Sequence, residues 1–290
     1  MSTLPQLAEQ PGHGLRYAAN CSLLFTEVPL LERPALARAA GFNAVEFWWP
    51  FTDATPSAAH VGGFVTAVRN AGVRLVGLNF YAGDLAGPDC GLVSLPARAG
   101  EFRDSVAVAV QIGEELGVEV FNALYGNRLP GVSAAEQDRV AEDNLSHAAA
   151  AVGGFGGRVL LEPVSGPKPY PLRRAVDVLA VIDRVRLADG AQLGFLCDLY
   201  HLAENGEDLD EVIAQHGSGV THVQIADAPG RGEPGSGRLD LQRHLGDLEE
   251  AGYHSWVSLE YRPTTSTADS LAWLEHDRRG ADSAPSRSTP

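Results

Sequence analysis

Four oxygen-bearing side chains, each at the end of an apolar segment, are the residues of this sequence best suited to chemistry. They are Glu162, Asp198, Gln224 and Glu260, in the stretches VLLEP, FLCD, HVQIAD and VSLEY, at spacings of 36, 26 and 36 residues. A single acid in such a place is more often a helix cap or a surface ion-pair partner, but four in succession are hard to explain that way. Three carboxylates held close together repel one another unless a cation neutralises them. We therefore interpret the set as a metal site, and oxygen-only ligands favour Mg²⁺ or Mn²⁺.

A repeated pattern predicts the strands that position these residues. A helix-like segment, a glycine and a short apolar run occur seven times, at Gly41, Gly72, Gly117, Gly157, Gly190, Gly219 and Gly252. A glycine just past a helix is the left-handed cap, and an apolar run of this length predicts a buried strand. With an opening strand at residues 16–22, the pattern predicts an α/β fold, a single (βα)8 TIM barrel over residues 15–275, ahead of a doubly wound open sheet. In such a barrel the four side chains share one arc of the mouth, because the carboxyl ends of the strands meet there.

The segments between the strands read as ordinary helices. They are predicted at residues 31–40, 58–70, 101–116, 134–151, 175–185, 209–215, 239–250 and 270–275, with Ser133 and Thr267 among the caps. A long Gly/Pro-rich loop at residues 80–98 is predicted to be a functional lid or disordered. The polar ends, residues 1–14 and 276–290, are expected to be flexible tails.

Further polar residues stand close to the predicted mouth. Glu46 and Asn79 end the second and third strands, and for each a substrate contact and a satisfied polar contact at the barrel rim are about equally favoured. His201 follows Asp198 by three residues, where it could orient or protonate a bound oxygen, and we favour that role over capping or packing. His222 is predicted to face away from Gln224 and to pack.

Two cations on loops could hold a substrate carboxylate. Arg231 lies in the Gly/Pro-rich stretch after the seventh strand, and Lys168 follows Glu162 by six residues. A bidentate arginine suits a carboxylate best, so Arg231 is the preferred candidate. For Lys168, the only lysine of the chain, plain surface charge is the favoured interpretation.

Composition excludes several classes of function. The 290 residues carry a formal charge of -15, which opposes nucleic acid and anionic membranes as partners and favours a small-molecule substrate. Three widely spaced cysteines without a CxxC motif favour a reducing, cytoplasmic location. No apolar run approaches the length of a membrane span, and the first residues lack the features of a signal peptide. No Gly-x-Ser-x-Gly elbow supports a serine nucleophile.

The motifs together resemble the hydroxypyruvate isomerase family within the xylose isomerase-like barrels. The resemblance rests on RYAANCSLLFTEVPLLER, GFNAVEFWWPF, NFYAGDLAGPDCGLVSLPAR, LLEPV, CDLYHL, HVQIADAPGRGEPGSG and SLEYRP, and covers almost the whole chain. It implies a metal held by Glu162, Asp198, Gln224 and Glu260, with the two glutamates as acid and base. It also implies that His201 and Arg231 contact the substrate, a small hydroxy- or oxo-acid. The implied reaction converts hydroxypyruvate to 2-hydroxy-3-oxopropanoate (tartronate semialdehyde) through an enediolate that the metal would stabilise.

Two stretches depart from the family pattern, at Gly232 and Arg238 and at SGPKPYP, residues 165–171. Both lie at the predicted mouth, so the metal set and isomerisation are better supported than the substrate. The alternatives are a 2-oxo-tetronate isomerase, a ketose 3-epimerase and a barrel that binds a ligand without catalysis. Gln224 opposes the epimerase, since similar epimerases carry His there. An abasic-site endonuclease would need several histidine ligands and a basic face, which the charge opposes. The sequence leaves a homo-oligomer open.

Overall fold

The computed structural model shows a closed barrel of eight parallel strands, described for residues 12–85, 87–166 and 168–280. Each strand pairs with the next along the chain, and β1 pairs with β8 to close the sheet. The strands are β1 Arg16–Asn20, β2 Ala44–Phe47, β3 Arg74–Asn79, β4 Val120–Asn122, β5 Arg158–Leu161, β6 Leu193–Asp198, β7 Val220–Ile225 and β8 Trp256–Leu259. The prediction of a (βα)8 barrel is confirmed.

Ten α-helices lie in the described part of the chain. They are α1 Arg33–Ala39, α2 Ala58–Ala71, α3 Ala99–Leu116, α4 Ala134–Gly153, α5 Ala175–Asp189, α6 Leu199–Glu204, α7 Leu209–His216, α8 Leu241–Glu250, α9 Thr267–Ser270 and α10 His276–Arg279. None of them is both long and apolar enough to cross a membrane. The left-handed glycines predicted from the sequence end several of them; Gly117, for example, has φ 68° after α3.

Two helical predictions differ from the structure. The helix expected at residues 270–275 lies earlier, at Thr267–Ser270, and its cap is Ser266, whose hydroxyl accepts from Asp269 N at 3.2 Å. The cap predicted at Thr267 is therefore wrong, whereas the cap at Ser133 is confirmed. Helix α6 was not predicted, because a single six-residue turn directly after a strand carries too few apolar positions to show helical periodicity.

The long loop after β3 is packed against the loop after β4. Gly91 forms an antiparallel bridge with Tyr125, and a Cβ added at Gly91 would lie 2.2 Å from the carbonyl oxygen of Leu124. Only glycine permits that approach. Asp89 O accepts from Asn127 N at 2.9 Å. Residues 87–98 of this loop are therefore packed against the loop after β4.

Some of the residues predicted to form flexible tails contact the barrel. Residues 1–11 and 281–290 of the predicted flexible tails lie outside the described residues. His13 is buried and its carbonyl accepts from Arg278 at 2.7 Å, while the Arg279 guanidinium donates to Ala40 O at 3.1 Å. The residues next to both ends are thus joined to the barrel.

Candidate active site

A cavity of about 370 Å³ opens at the carboxyl end of the barrel. Two acids that directly follow strands line it, Glu162 after β5 and Glu260 after β8. Cations and a histidine line it as well: Lys168, Arg231, Arg262 and His201. The rest of the wall is largely apolar, from Trp48, Leu85, Leu124 and Val164. An apolar enclosure with a few converging polar groups is typical of a small-molecule site.

Glu162 lies beside Asp198 and His201. One potential ligand atom from each of these three buried residues lies within 4.8 Å of the other two. Glu162 Oε1 accepts from Asn122 Nδ2 at 2.6 Å, but its Oε2 is buried without a hydrogen-bond partner. A buried carboxylate oxygen without a partner is costly unless something else binds it. The cluster therefore has the features of a cation site.

Asp198 also has the capping role that a single acid after a strand often takes. It caps α6, because its Oδ1 accepts from the backbone N–H of His201 at 3.0 Å. Its other oxygen, Oδ2, lies 3.7 Å from His201 Nε2. Capping occupies one carboxylate oxygen and leaves the other directed toward the cluster.

His201 is held in one neutral form. The backbone N–H of Ser165 donates to His201 Nδ1 at 3.1 Å, so the ring proton is on Nε2. Burial lowers the pKa of His201 to about 4, and the nearby charge of Arg231 acts in the same direction, while Asp198 opposes it. At neutral pH the imidazole is therefore uncharged, with an N–H to donate at the site.

Gln224 is anchored by Glu46 deep in the barrel. Gln224 Nε2 donates to Glu46 Oε1 at 2.6 Å, and its own Oε1 is buried without a partner. Asn20 Nδ2 donates to Glu46 Oε1 at 3.0 Å, and His222 Nε2 lies 2.5 Å from Glu46 Oε2. Protein groups thus occupy both oxygens of Glu46, and the amide of Gln224 is oriented with its carbonyl oxygen free.

The prediction that His222 faces away from Gln224 is wrong. The two residues are two positions apart on β7, so strand alternation places them on the same face, and both contact Glu46 inside the barrel. Although burial raises the pKa of the Glu46 carboxyl, the charge and hydrogen bond of His222 and the amide of Gln224 lower it below its usual value. Glu46 is therefore an anchored carboxylate behind the site rather than part of its cavity wall.

Glu260 is bound by Arg231. The Arg231 guanidinium makes a close ion pair with Glu260 Oε1, and its Nε donates to Glu260 O at 3.3 Å. Glu260 Oε2 accepts from Asn20 Nδ2 at 3.2 Å. The guanidinium carbon of Arg231 lies 5.4 Å from the ring centre of Tyr200 and 5.9 Å from that of Trp48. Arg231 is therefore held by an acid and two aromatic rings.

The loop that carries Arg231 is organised by one carboxylate. Asp227 Oδ2 accepts from Gly235 N and its Oδ1 accepts from Leu239 N, each at 2.9 Å. Arg231 itself has φ 60°, a left-handed conformation unusual for a residue other than glycine. Its carbonyl accepts from Arg262 N at 2.7 Å, which ties the loop to the end of β8. Such strained residues persist where the surrounding contacts hold them, commonly at functional sites.

The predicted site residues are not all brought to the cavity. Asn79 lines a separate small cleft of about 90 Å³ near Trp49 and Tyr81, so its substrate contact stays a prediction. Lys168, for which surface charge was favoured, lines the main cavity instead. The sequence analysis did not single out Asn122, which donates to Glu162. Asn122 is the last residue of β4, so the same search of strand ends that found the other polar residues would have found it.

The carboxyl groups of both acids in the cavity have raised pKa values. Burial and, to a smaller extent, the charge of Asp198 raise the pKa of Glu162 to about 8. Burial also raises the pKa of Glu260 well above its usual value, although the charge of Arg231 opposes this. Raised carboxyl pKa values in a cavity are typical of acid–base residues and of metal ligands without a bound cation.

Replacing Glu162 with Gln is expected to stabilise the metal-free protein at alkaline pH. The folded-state pKa is raised, so this carboxyl favours the folded state fully below its ordinary value of 4.5, and that contribution is lost as the pH rises to about 8. At pH 8.5 the neutral amide avoids burying a charge. The gain corresponds to a few kcal/mol, because each pH unit between the folded and unfolded pKa values is worth about 1.4 kcal/mol. Urea unfolding in EDTA at pH 4.5 and 8.5 measures the difference.

In that experiment we expect the variant and the wild type to converge at pH 4.5. The exposed Glu250→Gln, at the end of α8, serves as the control and should show no such pH dependence. Equal stability of Glu162→Gln and the wild type at pH 8.5 would contradict the raised pKa.

Comparison with known proteins reveals relatives over nearly the full chain. The sequence pattern of the xylose isomerase-like TIM barrel family matches residues 34–276. A putative hydroxypyruvate isomerase of Streptomyces coelicolor is 50% identical over 272 residues, 92% of this chain and 98% of the relative. The hydroxypyruvate isomerase of Escherichia coli is 31% identical, covering 90% of this chain and 98% of its own.

Two further matches show how broad the family is. A 2-oxo-tetronate isomerase of Cupriavidus necator is 31% identical over 90% of this chain and 97% of its own. Among solved structures, an AP endonuclease, family 2, from Brucella melitensis superimposes with a TM-score of 0.80 at 31% identity, covering 90% of this chain and 98% of that one.

Proposed function

The chain belongs to the xylose isomerase-like TIM barrel family, and on that premise we propose that it is a metal-dependent isomerase that interconverts hydroxypyruvate and 2-hydroxy-3-oxopropanoate. The isomerase class is supported by relatives that cover nearly the whole chain. One observation carries the proposal: Glu162 and Glu260, two carboxyl groups with raised pKa values, line the same small cavity. Proton transfer between adjacent carbons needs such a pair.

The residues fit a divalent cation. Glu162 Oε2 and Gln224 Oε1 are buried without partners, and Asp198 places a carboxylate oxygen within 4.8 Å of Glu162. We assign Glu162, Asp198, Gln224 and Glu260 as ligands, an all-oxygen set that suits Mg²⁺ or Mn²⁺. A bound cation would supply charge stabilisation for the enediolate. Gln224 contributes an oxygen without adding a fourth negative charge.

The side chains of the chain itself account for the movement of the protons. One of the two carboxylates, Glu162 or Glu260, takes the proton from C3 of hydroxypyruvate, and the other carboxylic acid returns one to C2. The electron pair of the C3–H bond forms the C2–C3 double bond of the enediolate while the π pair of the C2 carbonyl moves onto O2. The hydroxyl proton passes from O3 to O2, and an electron pair of O3 forms the C3 carbonyl as the C2–C3 π pair takes up the proton at C2. His201 donates its Nε2–H to a substrate oxygen. Because its pKa is lowered to about 4, it donates as a neutral imidazole at neutral pH.

Glu46 and Arg231 support these groups. We assign Glu46 the role of holding the Gln224 amide with its carbonyl oxygen toward the cation. Arg231, in contact with Glu260, keeps a positive charge next to the acid and closes that side of the cavity. The three buried, free cysteines agree with the reducing cytoplasm proposed for the protein.

A second candidate is isomerisation of a 2-oxo-tetronate, which has one carbon more. The Cupriavidus necator relative carries that name at 31% identity, the same identity as the Escherichia coli hydroxypyruvate isomerase. The cavity of about 370 Å³ is large enough for a four-carbon acid. The proton chemistry is the same for both substrates, so the two candidates differ only in substrate preference.

Solvent-deuterium exchange followed by NMR tests both candidates. Hydroxypyruvate and 2-oxo-tetronate are each incubated in D₂O with the protein and Mg²⁺, Mn²⁺ or EDTA. With a metal we expect deuterium at C3 of the acid and formation of the product, which is the aldehyde from hydroxypyruvate and the 3-oxo acid from 2-oxo-tetronate. In EDTA we expect neither. Absence of exchange with both acids under every metal would refute the isomerase.

Adding Mn²⁺ to the metal-free protein is expected to raise its stability. A ligand at 100 times its Kd stabilises the folded state by about 2.7 kcal/mol, which raises the melting temperature by several degrees. Asp198→Asn is the matched variant, since asparagine still caps α6 but lacks the charge. We expect it to melt near the wild type without metal and to gain little from Mn²⁺ in differential scanning calorimetry. An equal gain in both proteins would remove Asp198 from the ligand set.

A further inference from the structure

Arg231, the cation preferred from the sequence for the substrate carboxylate, is already paired with Glu260. The guanidinium of Arg231 is bound to Glu260 through both an Oε1 contact and the backbone carbonyl. A cation that is already paired with an acid attracts a substrate carboxylate less strongly than an unpaired cation in the same cavity.

Two other cations line the same cavity, Lys168 and Arg262. Within the described part of the chain, neither is paired with a carboxylate. The Nζ of Lys168 donates to the backbone carbonyl of Leu85 at 2.5 Å. An ammonium group has three N–H bonds, so two remain for a ligand. Arg262 directs its backbone N–H to Arg231 O, which fixes the start of its side chain at the cavity.

The position of Lys168 is fixed by two loops. Its own loop follows β5, and Leu85 lies in the packed loop after β3. The thiol of Cys90, in that second loop, is influenced by Lys168 and Glu162 in opposite directions. Burial raises the pKa of Cys90, Lys168 lowers it and Glu162 raises it. Cys90, Lys168 and Glu162 line the same cavity.

We propose that Lys168 and Arg262 bind the carboxylate of the substrate, and that Lys168 makes the enzyme select acids over neutral hydroxyketones. The inference rests on the proposed isomerase and names its specificity-determining residues. With the carboxylate at Lys168, the carbonyl and hydroxyl carbons of a short acid extend toward Glu162 and Glu260, which line the same cavity. A neutral hydroxyketone would lack this contact and would bind weakly even though its proton chemistry is the same.

Kinetics of charge variants test the proposal. Lys168→Met keeps the length and the apolar body of the side chain but removes the charge. Hydrogen bonds to charged groups contribute about 1.5–3 kcal/mol, which corresponds to a rise in KM for hydroxypyruvate of about 10- to 100-fold. We expect kcat to change less than about threefold, and Lys168→Arg to restore most of the affinity, since the charge is what binds.

Dihydroxyacetone is the matched neutral substrate, because it carries a hydroxymethyl group where hydroxypyruvate carries the carboxylate. Deuterium exchange into dihydroxyacetone should be the same in the wild type, Lys168→Met and Arg262→Met. Arg158→Met removes an exposed charge at the start of β5, at the opposite end of the barrel, and should leave both substrates unaffected. If Lys168→Met slows both substrates equally, its role is to hold the loop at Leu85, and the proposal fails.

A binding measurement separates this inference from the proposed reaction. Because Lys168 is the only lysine, [¹³C]lysine labelling gives a single set of side-chain signals. We expect the Cε–Hε signal to shift on titration with glycerate, which has a carboxylate but no ketone and cannot isomerise. The signal should not shift with glycerol, which has no carboxylate. A shift in a protein that isomerises no acid would refute the reaction and keep the carboxylate site. If the enzyme is active but the lysine signal does not shift with glycerate, the carboxylate site is refuted and the proposed reaction is not.

Discussion

Replacing Glu260 with Gln is expected to lower kcat for isomerisation by about 10²- to 10⁴-fold, the range that a general acid or base contributes. The amide has the size of the carboxyl group but cannot accept the proton. Its oxygen can still accept from Asn20, as Glu260 Oε2 does now. The fall in kcat is measured by deuterium exchange into hydroxypyruvate, with samples stopped at fixed times and analysed by NMR.

The fold of this variant should remain intact. Burial already raises the pKa of Glu260, so a neutral group at this position removes a cost of burying charge. The amide oxygen of the variant and the backbone carbonyl of the same residue can both still accept hydrogen bonds from Arg231, so its guanidinium keeps its partners. Glu250→Gln, on the exposed end of α8, is the control for loss of one carboxylate. Retained turnover in Glu260→Gln, with a normal melting temperature, would remove Glu260 from acid–base catalysis and leave Glu162 as the sole carboxyl candidate.

Replacing Glu46 with Leu is expected to destabilise the protein by about 3–5 kcal/mol, the effect of removing one partner from a buried charged pair. Three buried donors lose their acceptor together: the amides of Asn20 and Gln224 and the ring of His222. Metal affinity should fall as well, because Gln224 loses the contact that orients it. Urea unfolding measures the stability, and titration with Mn²⁺ measures the affinity.

A double-mutant cycle with His222→Leu sharpens this prediction. Removal of both partners leaves neither an unpaired carboxylate nor an unpaired imidazole, and apolar replacements of buried pairs are often tolerated. We expect the double variant to be less destabilised than the sum of the two single variants, with a coupling of more than about 1 kcal/mol. Strict additivity would show that the 2.5 Å contact contributes nothing to stability.

Local signals made most of the barrel predictable. Glycine tolerates the left-handed conformation better than other residues, so Gly72, Gly117 and Gly190 mark where α2, α3 and α5 end and a strand follows. The rule that chemistry lies at the carboxyl ends of barrel strands then selected residues such as Glu162 and Asp198. Those two do lie together in the structure.

Contacts between residues on opposite sides of the barrel could not be predicted from these local signals. Nothing in the sequence near Glu46 shows that its partners are His222 and Gln224, on a strand about 180 residues away. The pairing of Arg231 with Glu260 and the bridge from Lys168 to Leu85 depend on how loops fold over the mouth. Loop conformation follows from many weak long-range contacts, whereas helix ends and buried strands follow from a few adjacent residues.

The burial of the three cysteines has a consequence for resistance to oxidants. Peroxide and alkylating reagents attack the thiolate, and burial raises the pKa of Cys21, Cys90 and Cys197. Very little thiolate therefore exists at neutral pH, even for Cys90 in the cavity wall. The only methionine of the chain is its first residue. We expect the protein to keep its activity through peroxide treatment that inactivates enzymes with exposed sulfur.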